Sequence, residues 1–259
     1  MVVYSHSRIS TFEQCPLKFK YKYIDKIEPD VEKTIETHLG EVVHLTLEWV
    51  YNKVKDEKIV PTLEETIDYY SEKWQKLYND KMLIVKKEFV AKDYFEKGVN
   101  FLLNYYYKNQ PFKDGTIECE KRIFIDLDAE TKIQGIIDRL VFNKETDEYE
   151  VHDYKTANSM PPKEKFETDR QLALYSIAIK EMFGKEKKVC LIWHYLAHNQ
   201  KVCVRKTDEQ LEQLKKDTLN SIKKIESAKT FPHQKTILCN WCEYKNMCEA
   251  WKVQKTLSC

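Results

Sequence analysis

Apolar and polar positions along the chain change their period near Pro111, and that change divides the reading. Before it, apolar residues recur at mixed spacings of three and four over about 34–51, 62–79 and 88–108, which predicts three helices. The opening SRISTFEQC predicts another helix start, with Ser10 and Glu13 fitting a capping box and Pro16 interrupting or offsetting the helix. The first 110 residues therefore read as mainly helical. After Pro111 the segments TIECEKRIFIDL, KIQGIIDRLVF and EYEVHDYKT read as strands, with Asn143 to Asp147 turning between the last two. A helix follows from about Pro162 to Phe183. KVCLIWHYLA is a compact apolar strand, and QKVCVRK is placed to pair with it. The segment from Thr207 to Ser227 is strongly amphipathic, with Leu211, Leu214, Leu219, Ile222 and Ile225 along one broad face. The order of helices, three strands, helix, strand pair and helix predicts an α/β core flanked by helical material.

Composition narrows the class. Of 259 residues, 42% are hydrophobic and 12% aromatic, which supplies a packed core and argues against disorder. The formal net charge is +1, so no single-sign field covers the protein, although a local basic groove remains compatible with nucleic acid. No stretch reaches the roughly 18 apolar residues of a membrane span. The start lacks an apolar signal-peptide core, so a cytoplasmic protein without membrane partners is expected. There is no internal repeat and no low-complexity linker.

Charged residues within the strand region suggest chemistry. Asp153 and Lys155 in HDYKT point to one face of an extended strand, because side chains alternate with period two. Pairing with the GIIDR strand brings Asp138 to the same place. Carboxylates gathered in this way suit Mg²⁺ or Mn²⁺ held with a phosphate, and the chemistry on offer is phosphodiester hydrolysis. Lys155, kept protonated by a neighbouring carboxylate, can orient water or stabilise charge on phosphorus. An isolated D-x-K is more often an edge salt pair, so further residues matter. His44 in GEVVH can complete an ion's shell. Glu120 lies on the preceding strand and can hold a ligand water or a second ion, with Glu118 as its rival. Gln171 and Tyr175 in QLALY lie one helical turn apart and face the same way. Read singly, each has an ordinary structural explanation.

Taken together, GEVVH at 40–44, GIID at 135–138, DYK at 153–155 and QLALY at 171–175 resemble the RecB-type branch of the PD-(D/E)xK nucleases. They are especially similar to its iron–sulfur members, which include the AddB nuclease domain and the CRISPR-associated RecB-like exonucleases. The resemblance covers nearly the whole chain. It implies a restriction-endonuclease-like core, a central mixed sheet flanked by helices, with an N-terminal helical region. His44, Asp138 and Asp153 would bind the divalent ion, with the Tyr154 carbonyl a further ligand. Lys155 would be the catalytic lysine, Gln171 and Tyr175 the motif that follows it, and Glu120 the acidic residue of the earlier strand. The proline of the family name is absent from GIID.

Of the 8 cysteines, three lie at 239, 242 and 248 in ILCNWCEYKNMCEAW, and metal ligation by a subset fits better than a secreted disulfide scaffold. The resemblance makes Cys15 the fourth ligand and implies a 4Fe-4S cluster clasping the N- and C-terminal segments; spacing alone equally allows Zn²⁺. Cys119, Cys190 and Cys203 read as core cysteines and Cys259 as free. The expected organisation is one composite domain: residues 1–110 helical with Cys15 and GEVVH, 111–230 the nuclease core, and 231–259 the cluster segment.

Lys18, Lys20 and Lys22 interleave with Phe19, Tyr21 and Tyr23, a pattern that suits either phosphates and bases or an amphipathic helix with solvated lysines. Arg139 should face away from the ion, whereas Arg170 is positioned to touch a DNA backbone. The expected function is a metal-dependent DNA exonuclease acting on single strands or ends. A structure-specific endonuclease, a nuclease trimming CRISPR spacer precursors, and a non-catalytic iron–sulfur DNA-binding subunit are the alternatives. No GxxxxGK[ST] loop occurs, so unwinding would need a partner, such as a helicase; CRISPR adaptation proteins or further copies of the chain are the other partners considered.

Overall fold

The computed structural model describes residues 2–29 and 31–251. A strand, β1 (Val2–Ser5), leads into α1 (His6–Gln14). Cys15 is extended, and Pro16 opens α2 (Pro16–Phe19), which continues as a π-helical turn over Lys20–Ile24. Three long helices follow: α3 (Ile35–Asn52), α4 (Leu63–Leu77) and α5 (Ala91–Asn109). Then come β2 (Thr116–Asp126), β3 (Thr131–Asn143) and β4 (Glu148–Lys155). The chain continues through α6 (Lys163–Glu167), α7 (Arg170–Phe183), β5 (Lys188–Tyr195), β6 (Gln200–Val204) and α8 (Asp208–Ser227). Side-chain caps set several starts. Thr34 accepts from the Thr37 N–H, and Thr62 with Glu65 and Thr207 with Gln210 form reciprocal boxes. The single helix expected over 162–183 is broken because Asp169 caps α7, accepting from the Leu172 N–H at 3.0 Å.

The cap of α1 differs from the sequence expectation. Ser5, not Ser10, holds it: Ser5 Oγ accepts from the Arg8 N–H at 3.1 Å. Ser10 lies inside the helix, with Oγ 3.1 Å from His6 Nε2. The cause is β1, four residues that pair in parallel with Thr131–Gln134 and so set where the chain first turns helical.

The six strands form one mixed sheet between two helical layers. One core packs Ile9 of α1, Leu172 and Leu174 of α7 and Ile222 of α8 on strand residues such as Ile123, Ile133, Val151 and Trp193. The other packs Leu39, Val43 and Leu47 of α3, Tyr70 and Trp74 of α4 and Leu102 and Tyr105 of α5 against Tyr154 and Leu196. This is the mixed α/β core with N-terminal helices that the sequence led us to expect. No helix among the described residues is long and apolar enough to cross a membrane.

Two features of β3 position the site. Along one edge it pairs with β2; along the other it pairs with β1 at Thr131–Gln134 and with β4 at Arg139–Asn143. Residues 135–138 are left without a strand partner on that second edge. Because β1 runs parallel to β3 and β4 antiparallel, the C-terminal ends of β1 and β4 approach this gap from opposite sides. Secondly, β2 and β3 change faces together. Ile123, Ile125, Ile133 and Ile137 face the first core, whereas Cys119 packs on the second and Arg139 lies over the Tyr51 ring. The switch falls at Glu120 and Asp138, and Glu120 takes it with φ of +49°. A left-handed glutamate inside a strand is strained and persists only where its surroundings hold it.

Cys190 is a core residue, 2% exposed, whereas Cys203 departs from that reading: it is exposed, and the two are disulfide-bonded between β5 and β6. Cys119 is half-buried at the edge of the second core. Cys259 lies outside the described residues.

Candidate active site

At the gap, Asp138 of β3 and Asp153 of β4 are the next pair beyond Arg139 and His152, where the ladder ends. The Asp138 carboxylate takes over from the ladder: Oδ2 accepts from the Tyr154 N–H at 2.8 Å. From above, α3 brings His44, whose Nε2 donates to the Tyr154 carbonyl at 2.8 Å. Nδ1 then faces Asp138 Oδ2, 3.5 Å away. Glu120 arrives from β2. His44, Glu120 and Asp138 each offer a ligand atom, and these atoms lie within 4.8 Å of one another.

Electrostatics show what this cluster suits. Burial and then the neighbouring Asp153 charge push the Asp138 carboxyl up to about 6, against the opposing pull of His44. Glu120 is raised to about 7, by burial first and the Asp138 charge second. The Glu120 side chain keeps substantial solvent contact. Carboxylates crowded together and facing an imidazole nitrogen form the oxygen-and-nitrogen donor set that a hard divalent cation fits. The residues present thus suit Mg²⁺ or Mn²⁺. Of the ligands expected from sequence, His44 and Asp138 converge and Glu120 joins them. Asp153 lies beside Asp138 and pairs with Lys155, and the Tyr154 carbonyl accepts from His44.

Lys155 sits beside this cluster, its Nζ 2.7 Å from Asp153 Oδ2. Burial works against the ammonium, but Asp153, Asp138 and Asp169 outweigh it and raise the lysine above its ordinary value. Asp153 is itself pushed up by burial, with Lys155 opposing. Lys155 Nζ also donates to Gln171 Oε1 at 3.4 Å, and Gln171 Nε2 to Tyr175 Oη at 3.3 Å. The Tyr175 ring fills the space over Gly135, where an added Cβ would come within 2.4 Å of Cε1. The glycine of GIID and the tyrosine of QLALY therefore interlock, and α7 is held at the depth that puts Gln171 beside Lys155.

Under the site lies a polar network that sequence reasoning missed, apart from expecting Arg139 to face away. Arg139, 1% exposed, donates from Nε to Tyr154 Oη at 2.8 Å and from Nη2 to His152 Nδ1 at 2.9 Å, and pairs with Asp114. Tyr105 Oη is 3.2 Å from Tyr154 Oη and 2.8 Å from Tyr51 Oη. His152 and His194 are both held neutral, chiefly by burial. This network anchors Tyr154, whose backbone both Asp138 and His44 engage. The alternation of HDYKT was the available signal, since it puts His152 and Tyr154 on the face opposite Asp153.

The cysteines come together too. Cys15, Cys239, Cys242 and Cys248 line one small cavity of about 50 Å³. The Cys248 thiol is raised by burial and then by Cys15 and Cys239, and the Cys242 thiol mainly by burial. Lys18 and Lys22 pair with Glu243, and Lys20 with Asp25, while Phe19 is buried. That segment is thus an amphipathic helix tying the N-terminus to the tail. Arg170 pairs with Glu13.

No curated protein matches the chain. Among solved structures, a putative exonuclease from Eubacterium rectale is similar over 95% of this chain and 86% of its own, with 11% identity and a TM-score of 0.49. The structure of SSO0001 is similar over 83% of this chain and 94% of its own, with 15% identity and a TM-score of 0.37. The sequence matches the PD-(D/E)XK nuclease superfamily over residues 3–249, and the chain belongs to that superfamily.

Proposed function

We propose that the protein is a divalent-metal-dependent deoxyribonuclease, an exonuclease acting on single-stranded DNA or on DNA ends. The observation that carries this reading is the meeting of His44, Glu120 and Asp138 beside a lysine held as its ammonium. A bound Mg²⁺ or Mn²⁺ would polarise the phosphoryl group and lower the pKa of water. His44, Glu120 and Asp138 would hold the ion. Lys155, steadied by Asp153 and Gln171, would donate to a phosphoryl oxygen and stabilise the charge that builds there. Gln171 is in turn oriented by Tyr175, so the QLALY motif positions the lysine. With labelled single-stranded DNA and Mg²⁺ or Mn²⁺, wild type should cleave and Lys155→Ala should not. Equal cleavage by both defeats the proposal, and 5′- and 3′-blocked substrates give polarity and exo- or endonucleolytic action.

The four cysteines support a second element of the reading, the iron–sulfur branch of RecB-type nucleases. Their convergence from residue 15 and the tail fits a shared metal. Among the described residues no three thiols close within the 4.8 Å that the acidic triad meets. The iron–sulfur resemblance favours a 4Fe-4S cluster there, with a zinc–thiolate centre as the alternative that four cysteines could also hold. Absorption near 400 nm from the purified protein tests this directly. A helicase or CRISPR adaptation partner would supply strand ends.

A further inference from the structure

Just before Asp138, one face of β3 runs out of cover. Ile133 and Ile137 are buried in the first core, so Gln134 and Ile136 face the opposite side of the sheet, the side that α3, α4 and α5 cover farther along. Here that helical layer stops. Ile136 is 43% exposed, and Phe124, opposite Gln134 on β2, is 54% exposed. Arg122, opposite Ile136, is exposed as well. Lys132 and Asp126 pair across the same two strands and close the far end of the patch. Ile136 and Gln134 precede Asp138 by two and four residues, ~7 and ~14 Å along an extended strand. The open face therefore continues the strand that carries the candidate cation site, on the side from which α3 brings His44.

The side chains on this face are free to meet a ligand. Of the five arginines, Arg8 lies over the Tyr4 ring, Arg139 pairs with Asp114, Arg170 with Glu13 and Arg205 with Glu148. Among the described residues Arg122 has neither an ion-pair nor a side-chain hydrogen-bond partner. Phe124 belongs to neither core. The two lie two residues apart on β2, so they stand on one face, an aromatic ring beside an unpaired guanidinium. That combination holds single-stranded nucleic acid: the cation neutralises a phosphate and the ring stacks on a base. A duplex turns its bases inward and offers Phe124 no base face along its length.

We propose that Phe124 and Arg122 are specificity-determining residues, a platform that holds a single strand outside the scissile nucleotide and selects it over duplex. The inference rests on the nuclease reading and names what gives it a preference for unpaired bases. The test is fluorescence anisotropy of the full-length protein in chelator with a labelled single strand, the same strand carrying abasic positions, and the duplex. Phe124→Ala should weaken binding of the base-bearing single strand about fivefold or more, the low end of base–aromatic stacking, and leave the abasic strand and the duplex unmoved. Phe124→Trp should restore it. Arg122→Gln should weaken the base-bearing and abasic strands alike and reduce the slope of log affinity against log salt by about 0.7. With Mg²⁺, Phe124→Ala should raise KM for single strands more than it lowers kcat. Equal single-strand affinity of wild type and Phe124→Ala, or an equal loss with the abasic strand, overturns the platform. So does a wild-type dimer that Phe124→Ala dissociates without changing DNA binding, which makes the patch a contact between copies. Lys155-dependent cleavage would leave the nuclease reading standing in each of these events; cleavage that Lys155→Ala retains defeats that reading whatever Phe124 does.

Discussion

Asp138 gives the sharpest test, because the site should destabilise the protein in the absence of an ion. Its carboxyl stands at about 6 against an ordinary 3.8, and its side chain is only 14% exposed. That difference corresponds to about 3 kcal/mol of native-state penalty once the group is ionised. The sign follows from a folded-state value above the unfolded one. The penalty is absent below about pH 4, grows as pH rises, and is complete above about pH 6. Sharing of charge with Asp153 makes about 1.5–3 kcal/mol the working range at pH 8. Asp138→Asn removes the charge and keeps an oxygen to accept from the Tyr154 N–H. In chelator at pH 8 the variant should therefore melt about 3–12 °C above wild type, at about 2–4 °C per kcal/mol for a chain of this size. The advantage should vanish by pH 4, where both side chains are neutral. Mg²⁺ or Mn²⁺ should raise the wild-type Tm and leave the variant nearly unmoved. The assay is a set of thermal melts across pH with and without metal. A variant less stable than wild type at pH 8 in chelator, or an equal metal response in both, refutes the electrostatic account.

Other perturbations reach different parts of the site. At subsaturating Mg²⁺, cleavage should fall as pH drops through about 7 and then about 6, because Glu120 and Asp138 must lose protons to ligate; a flat profile would count against the triad. Gly135→Ala drives a methyl into the Tyr175 ring, which should cost about 1–3 kcal/mol in urea unfolding and lower kcat more than it changes KM. Arg139→Ala strips Tyr154 and His152 of a buried donor and should cost about 3–5 kcal/mol; a loss under 1 kcal/mol in the same unfolding assay would show the network to be dispensable.

Much of this was legible in the chain. Local periodicity is set by side chains a few residues apart, so α3, α4, α5, α8 and the strands from β2 to β6 fall where the apolar pattern puts them. The spacing of Asp153 and Lys155 on one strand, and of Gln171 and Tyr175 on one helix turn, follows from the same short-range geometry. Tertiary structure alone decided the rest. Val2–Ser5 is too short to announce a strand, and only its pairing with Thr131–Gln134 moves the α1 cap to Ser5. Nothing about a glutamate signals a φ of +49°, since the left-handed region is disfavoured for it; the concerted turn of β2 and β3 imposes it and aims Glu120 at Asp138 and His44. The meeting of Glu120 with His44 and Asp138, and the burial of Arg139 beneath Tyr154, depend on which faces of distant strands meet. Side chains a few positions apart encode the elements; register and pairing between elements far apart in the chain decide which carboxylates share a space.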